Sequence, residues 1–260
     1  MYMDYKICTL CPRQCAVDRS AGQLGYCRCP DTALVAKAMI HKWEEPALAG
    51  NGGSGTVFFG GCTLGCKYCQ NSKISGGAVG KPVDSAGLRA IMENLIAQGA
   101  ENIDLVTPTH YLPTIIPALQ PKLPVPVVYN CGGYERVETI KQLEGLVDIY
   151  LPDFKYYSSE LAARYSNAPD YPDVAKAAIA EMVRQTGEPL FCTKNGILLT
   201  SEQYDDEALI CKGTIVRQIT HEQQKLIAVC RLAGLAEGAR GMLRDPVQAV
   251  GHALKLCLAR

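Results

Sequence analysis

"GGCTLGCKYCQN", Gly60–Asn71, sets three cysteines, Cys62, Cys66 and Cys69, within eight residues. The stretch follows "TVFFGG" (Thr56–Gly61), a short β-branched and aromatic run that reads as a strand. The spacing is C-x3-C-x2-C. Zinc sites usually show two Cys-x-x-Cys pairs, or one such pair with two histidines downstream, and no partner pair stands near this one. Iron–sulfur cubanes, by contrast, are held by thiolates in short loops of this kind. Three protein ligands leave one iron open, and an open coordination position is a binding site for a substrate or cofactor. A closed zinc knot and free thiols are the competing readings of the same triad.

Working outward from this loop, strand-like and helix-like segments alternate. "DSAGLRAIMENLIAQG" reads as a helix, with Asp84 or Ser85 as N-cap, apolar Leu88, Ile91, Met92, Leu95 and Ile96, and Gly99 as its stop. "NIDLVT" follows as a strand, then a helix over 112–120, the strand "VPVVYN" (Val125–Asn130) and the helix "ERVETIKQLEG". "LVDIYLPDFKY" (Leu146–Tyr156) is a strand with its exit loop, two helical stretches fill 158–186, and "GTIVRQI" (Gly213–Ile219) is a later strand. Regular β-α alternation with mostly unbroken apolar strands predicts a parallel sheet. Closure into a barrel is not decided by pattern. The tail "PVQAVGHALKLCLA" carries Val247, Val250, Leu254 and Leu258 at helical spacing, a core-facing stripe. Gly50, Gly52 and Gly55 spell G-x-G-x-x-G, but a dinucleotide fingerprint follows a strand, and this one precedes one.

Composition narrows the class. The chain has 260 residues, room for one large α/β domain, and 48% of them are hydrophobic, enough for a sizeable core. Lys+Arg and Asp+Glu balance at 26 each, which argues against a nucleic-acid or anionic-membrane surface. No apolar run approaches the roughly 20 residues of a membrane span, and "MYMDYKICTLCPRQC" lacks a signal-peptide core. Thirteen cysteines without a secretory signal point to metal ligation in a reducing, cytoplasmic setting rather than to a disulfide framework. The isolated Cys131, Cys192, Cys211, Cys230 and Cys257 read as buried small apolar residues.

C-x3-C-x2-C with the aromatic Tyr68 before the last cysteine resembles the radical S-adenosylmethionine (SAM) superfamily. "EEP" (Glu44–Pro46), "GSGTVFFGGC", "CQN", "VTPTH" (Val106–His110), "VYN" with "GYE" (Tyr129–Glu135) and "VDIYLPDFKY" together resemble one branch related to pyruvate formate-lyase activating enzymes. The resemblance covers residues 6–217. It implies an α/β fold, a partial (β/α)6-type parallel barrel over 51–220, with a Cys-rich N-terminal extension (1–50) and an atypical helical C-terminal part (221–260). It implies a [4Fe-4S] cluster on Cys62, Cys66 and Cys69 at the C-terminal mouth. SAM would chelate the open iron, and its reductive cleavage would give methionine and a 5′-deoxyadenosyl radical that abstracts hydrogen.

The same resemblance implies roles for other residues. Related enzymes hold the SAM amino group with a Gly-Gly-Glu loop after the second strand. Here Thr107, Pro108, Thr109 and His110 stand at that position, with helix capping and a hydrogen-bonded surface histidine as the bland alternatives. Asn130 ends the third strand and is a SAM contact or a turn former. Asp153 suits ribose hydroxyls and Lys155 a carboxylate, with a surface ion pair as the rival. Tyr68 packs beside the adenine or simply within its loop. Arg217 resembles a late-strand arginine near SAM. The family continues there with an apolar run and a Leu-Pro-Gly turn, whereas this chain gives the helix-like "QITHEQQKLIAVC". Cys8, Cys11, Cys15 and Cys27, with Cys29 as a substitute, follow C-x2-C-x3-C-x11-C. They read either as a second cluster or zinc site or as reduced thiols in a small packed cap. Expected partners are an electron donor such as flavodoxin or ferredoxin and, for an activase, a protein substrate bearing a glycyl radical. A small-molecule substrate, and a non-catalytic iron–sulfur or zinc protein, remain alternatives.

Overall fold

Ile103, Leu105, Val127, Tyr129 and Tyr150, spaced two apart along neighbouring strands, bury one face of a sheet against helices. The computed structural model of the chain describes residues 4–187, 190–192, 198–199, 209–215 and 217–218. Its strands are β1 (Ala33–His41), β2 (Ser54–Phe59), β3 (Lys81–Val83), β4 (Asn102–Val106), β5 (Val127–Cys131), β6 (Ile149–Phe154), β7 (Leu190–Cys192), β8 (Leu198–Leu199), β9 (Leu209–Thr214) and β10 (Arg217–Gln218). They line up in the order β3-β1-β2-β4-β5-β6-β9, with the β7–β8 hairpin on β9. From β2 to β9 the strands run parallel. β10 extends the same edge along the far half of β6, pairing Arg217 with Asp153 where β9 pairs Gly213 with Ile149. The mixed, mostly parallel α/β architecture agrees with the alternation in the sequence. Among the described residues the path of strands stays open.

The helices are α1 (Pro46–Ala49), α2 (Ser72–Ser75), α3 (Ser85–Ala97), α4 (Leu112–Ala118), α5 (Val137–Lys141), α6 (Ser159–Ser166) and α7 (Tyr171–Thr186). α3 starts as its cap predicts, the Asp84 carboxylate accepting from the Gly87 amide at 2.7 Å. α3, α4, α5 and α7 cover the apolar face of the sheet, where Leu88, Met92, Ile115, Ile140 and Met182 are fully buried. No described helix is long and apolar enough to cross a membrane. The helical tail predicted beyond residue 218 lies outside the described residues.

Two expectations change. Residues 1–50 read as a Cys-rich extension outside the barrel, yet β1 belongs to the sheet, antiparallel to both β2 and β3. Its burial runs out after Val35, so only its first residues carry a core signature. The parallel strands are also less uniformly apolar than the run of hydrophobic letters suggests. β2 turns Ser54 and Thr56, and β4 turns Asn102 and Asp104, to the face opposite Val57, Phe59, Ile103 and Leu105. All four polar residues are buried. This second face meets the short helix α1, where Leu48 packs on Val128, Ile149 and Leu151 and its carbonyl accepts from Asn102, so polar and apolar residues share it.

Leu105 sits at the centre of this arrangement, fully buried on β4. Leu105→Ala should lower unfolding free energy by about 2–5 kcal/mol in urea titration. Leu24→Ala, at a position 57% exposed, should change it by less than about 0.5 kcal/mol.

Candidate metal and cofactor site

The ends of β2, β4, β5, β6 and β10 bring most of the predicted residues to one edge of the sheet. β2 delivers the cysteine loop. Its first carbonyl, that of Gly60, accepts from His110 Nε2 at 2.7 Å and from the Cys29 thiol at 3.3 Å. Gly61 follows with φ +82°, and a Cβ there would run into Cys29 Sγ, so glycine is required on both counts. Within the loop the Leu64 amide donates to Cys62 Sγ and the Ser75 hydroxyl to Cys69 Sγ, each at 3.4 Å. Amide and hydroxyl donors of this kind stabilise thiolate over thiol. Cys62, Cys66 and Cys69 are all unpaired and partly accessible. Burial pushes the Cys62 thiol up to about 11, and the neighbouring Cys66 and Cys69 add to the shift against loop amides that oppose it.

The donor set fits a cluster better than an ion. Among the described residues no three His, Cys, Asp or Glu side chains stand where one metal ion could be held. A zinc ion needs its sulfurs about 2.3 Å from a single point, whereas a cubane offers each cysteine a different iron. Tyr68 packs edge-on against Tyr156 and Tyr165, in an aromatic cluster that also touches Cys62 and Cys66.

β4, β5, β6 and β10 supply a polar network at the same edge. Arg217 donates to Asp153 at 2.8 Å, to Asn130 at 2.7 Å and to Glu44 at 3.1 Å. Lys155 Nζ meets the second Asp153 oxygen at 2.6 Å. Burial works against charge on Asp153, but Lys155 and Arg217 outweigh it and hold the carboxyl below its usual range. Asp153 and Lys155 are therefore a shielded pair, each side chain under one-quarter exposed, rather than the surface pair that was the alternative.

Glu44 and Asp104 were missed as site residues. Asn130 Nδ2 approaches Asp104 at 3.4 Å, and burial, reinforced by Glu44, holds the Asp104 carboxyl well above the normal range. One oxygen of Asp104, like Ser54 Oγ and Asn102 Oδ1 on the same face, has no partner among the described residues. "EEP" carries no local sign of the Glu44 contact with Arg217, and an aspartate inside an apolar strand is visible in "NIDLV" once the period of 2 is respected.

The loop after β4 is built differently from the expectation. Thr107 takes φ +57°, unusual for a β-branched residue, and its amide donates to the Asn130 carbonyl at 2.8 Å. Thr109 is buried, its hydroxyl donating to Glu135 at 2.8 Å and accepting from Tyr129 at 3.0 Å. His110 is buried too, so it is no surface histidine. Burial drives its pKa down to about 4, leaving a neutral ring that donates from Nε2 to Gly60 and carries an unpartnered Nδ1. Glu135, 2% exposed, is the acid of this cluster, and burial raises it to about 8 against the bonds from Thr109 and Tyr129.

The N-terminal thiols lie around Arg19. That guanidinium is 1% exposed and donates to the carbonyls of Cys29 at 3.0 Å and His110 at 2.6 Å, and to that of Pro30. It reaches Cys8 Sγ at 3.9 Å and lies over the Tyr5 ring. Burial lifts the Cys11 thiol to about 12, while a thiol hydrogen bond from Cys29 lowers Cys27 to about 6. Cys15 Sγ stands apart, accepting from the Tyr26 amide at 3.2 Å. Cys29, fully buried against the Gly60 turn, is part of the packing around the cluster loop.

His110 and Glu135 give the fold a pH signature. Glu135 is raised from 4.5 to about 8, so its contribution to stability is present at low pH and is lost as pH rises through that window. His110 is lowered from 6.5 to about 4, so its contribution is present at high pH and is lost as pH falls through that window. Between 4.5 and 6.5 the folded state carries the proton on Glu135 and the unfolded state on His110, and the two slopes cancel. Glu135→Gln should therefore gain stability over wild type progressively from pH 4.5 to 8, by about 1.4 kcal/mol per pH unit at most. Paired urea titrations at several pH values check this, and parallel profiles would refute it.

Comparison with known proteins bears on the same loop. Residues 48–108 match the family model of a 4Fe-4S single cluster domain. The chain is 31% identical over 182 residues to the uncharacterized protein MJ0674 of Methanocaldococcus jannaschii, an overlap covering 66% of this chain and 52% of that protein. The chain thus spans about half the length of the curated relative it matches. Cys62, Cys66 and Cys69 fall inside the matched region, which supports an iron–sulfur cluster as the group that the three thiols hold.

Proposed function

We propose that this chain is a radical SAM enzyme, with the cluster on Cys62, Cys66 and Cys69 and SAM bound between the cysteine loop and the polar network of β5, β6 and β10. The carrying observation is that three thiols, one short of a closed cluster, share the C-terminal edge of a parallel sheet with Asn130, Asp153, Lys155 and Arg217. A protein that only carries electrons gains nothing from an unfilled ligand position beside so many polar groups. The five parallel strands are the visible part of a partial (β/α)6-type barrel in this reading.

A cluster held by Cys62, Cys66 and Cys69, with SAM bound, would supply the radical chemistry for hydrogen abstraction. The chain's own residues bind and orient. Lys155 and Arg217 offer two fixed cations for the SAM carboxylate, with Asp153 and Glu44 holding them in place. Asn130 and Asp153 present acceptors for amino and ribose groups. Tyr68, braced by Tyr156 and Tyr165, forms an apolar wall for the adenine and keeps water from the reacting centre. Thr107 presents backbone atoms at the mouth, while Thr109 and His110 act from behind, through Glu135 and Gly60.

The enzyme works in a reducing cytoplasm with a flavodoxin- or ferredoxin-type donor. Installation of a glycyl radical on a partner protein is the substrate reading that the sequence resemblance favours; a small molecule is its rival. The test is anaerobic cluster reconstitution followed by SAM and a strong reductant, with 5′-deoxyadenosine as the product sought. An intact cluster without product would overturn the proposal in favour of a non-catalytic iron–sulfur protein.

Three outcomes follow from the geometry. Cys66→Ala should lose both the cluster chromophore and cleavage. Arg217→Gln should raise the SAM concentration for half-maximal cleavage by about tenfold or more, with iron content unchanged. Metal analysis of anaerobic protein should give about four irons and no zinc for one cluster; zinc, or a second set of irons, would assign Cys8, Cys11, Cys15 and Cys27 a metal of their own.

A further inference from the structure

Arg13 is a leader residue that nothing above has used. Its Nε donates to the Thr63 carbonyl and its Nη2 to the Leu64 carbonyl, both at 3.1 Å. These two carbonyls lie between Cys62 and Cys66, in the middle of the ligand loop. The same guanidinium donates to the carbonyl of Ser166, the last residue of α6, at 2.8 Å and to that of its left-handed C-cap Asn167 (φ +50°) at 2.5 Å. It stacks 3.8 Å from the Tyr26 ring centre and 5.1 Å from that of Tyr134. Four carbonyls and two rings thus fix one side chain. Among the described residues no carboxylate pairs with it.

Carbonyl oxygens carry only partial charge, so the positive charge of Arg13 is solvated but not neutralised where it stands. The group next to it would be a cluster ligated by three thiolates. A fixed cation bonded to the ligand loop would favour the more negative, reduced state, since cluster potentials follow local charge and hydrogen bonding. The orientation also matters. With two donors spent on adjacent carbonyls, Thr63 and Leu64 hold their oxygens on the guanidinium while the Leu64 amide donates to Cys62 Sγ.

We infer that Arg13 is a positioning residue of the cluster loop, which holds the Cys62–Cys66 segment against α6 and raises the reduction potential of the cluster. The inference rests on the cluster reading, and it gives the Cys-rich leader a part in the chemistry independent of any metal of its own. Its test uses the full-length chain, reconstituted anaerobically, with two measurements that do not need turnover: iron loss to a chelator, and the cluster midpoint by redox titration followed by EPR. Arg13→Gln should lose iron about tenfold faster than wild type and shift the midpoint to more negative potential. Arg13→Lys keeps the charge but cannot make the four-carbonyl fork, so it should lose iron as the glutamine variant does while its midpoint stays near wild type. Should the glutamine variant fail to fold, the lysine variant alone carries the test: iron retention equal to wild type would overturn the positioning role. A glutamine variant with a wild-type midpoint would overturn the electrostatic role, whatever its iron retention. A wild type that takes up no cluster would instead sink the cluster reading itself.

Discussion

One carbonyl, that of Gly60, receives His110 Nε2 at 2.7 Å and the Cys29 thiol at 3.3 Å, and the placement of the Cys62–Cys69 loop depends on it. β2 ends one residue earlier, so this carbonyl is the first that the sheet does not satisfy. Two other segments meet it there, the leader through Cys29 and the β4 loop through His110. Arg19 closes the ring by donating to the carbonyls of both partners. Each member is buried, so losing one bond strands a group at about 1–3 kcal/mol. Arg19 itself has no carboxylate among the described residues. Its desolvation is offset by three carbonyls and by the faces of Tyr5 and Tyr111, at 4.4 and 5.5 Å. Rigidity at this turn is what a loop needs if three thiols are to stay in register for a cluster.

Across the mouth each cation is fixed against a carboxylate. Arg217 and Lys155 are held by Asp153 and Glu44, while Asp104, deeper on β4, is pushed toward its protonated form. Glu45 adds further negative charge near Arg217, so an ionised Asp104 would strengthen the hold on the guanidinium and repel an incoming carboxylate. Burial opposes that charge. Glu135 behaves the same way behind the β4 loop, raised to about 8 and bonded to Thr109 and Tyr129. Burial that raises both acids makes this site less anionic than its carboxylate count.

How much of this was legible in the sequence depends on whether the signal is local. The cysteine spacing, the Asp84 cap and the β-α alternation each lie within a dozen residues, and they survive in the structure. So does the convergence of Asn130, Asp153 and Arg217, because strand ends of a parallel sheet meet at one edge whatever the details of packing. Glu44, Asp104 and Glu135 were not legible as site residues, because their character comes from neighbours 60 to 170 positions away or from burial. His110 looked like a surface residue because nothing local announces that Arg19 and Gly60 bury it. β1 escaped because its second half faces outward and its first half is only Ala33, Leu34 and Val35.

The leader illustrates the point most fully. By composition, residues 4–30 look like a detachable cap whose cysteines wait for a metal. By contacts they are a wall of the site. Arg136 donates to the Thr9 carbonyl and Thr139 to that of Leu10, at 2.7 and 2.8 Å, tying the leader to α5. Arg13 ties it to α6 and the cysteine loop, and Arg19 to the β4 loop. A segment with so few large apolar residues cannot bury enough surface to hold itself in place by hydrophobic contact alone. Arginine-to-carbonyl bonds do the same task with fewer atoms, because each guanidinium serves several backbone acceptors at once. Small buried thiols then fill the space beneath, as Cys8, Cys11 and Cys29 do. Packing accounts for Cys8, Cys11 and Cys29, whereas Cys15 and Cys27 stay partly accessible, and the arginines tie the leader to the cysteine loop.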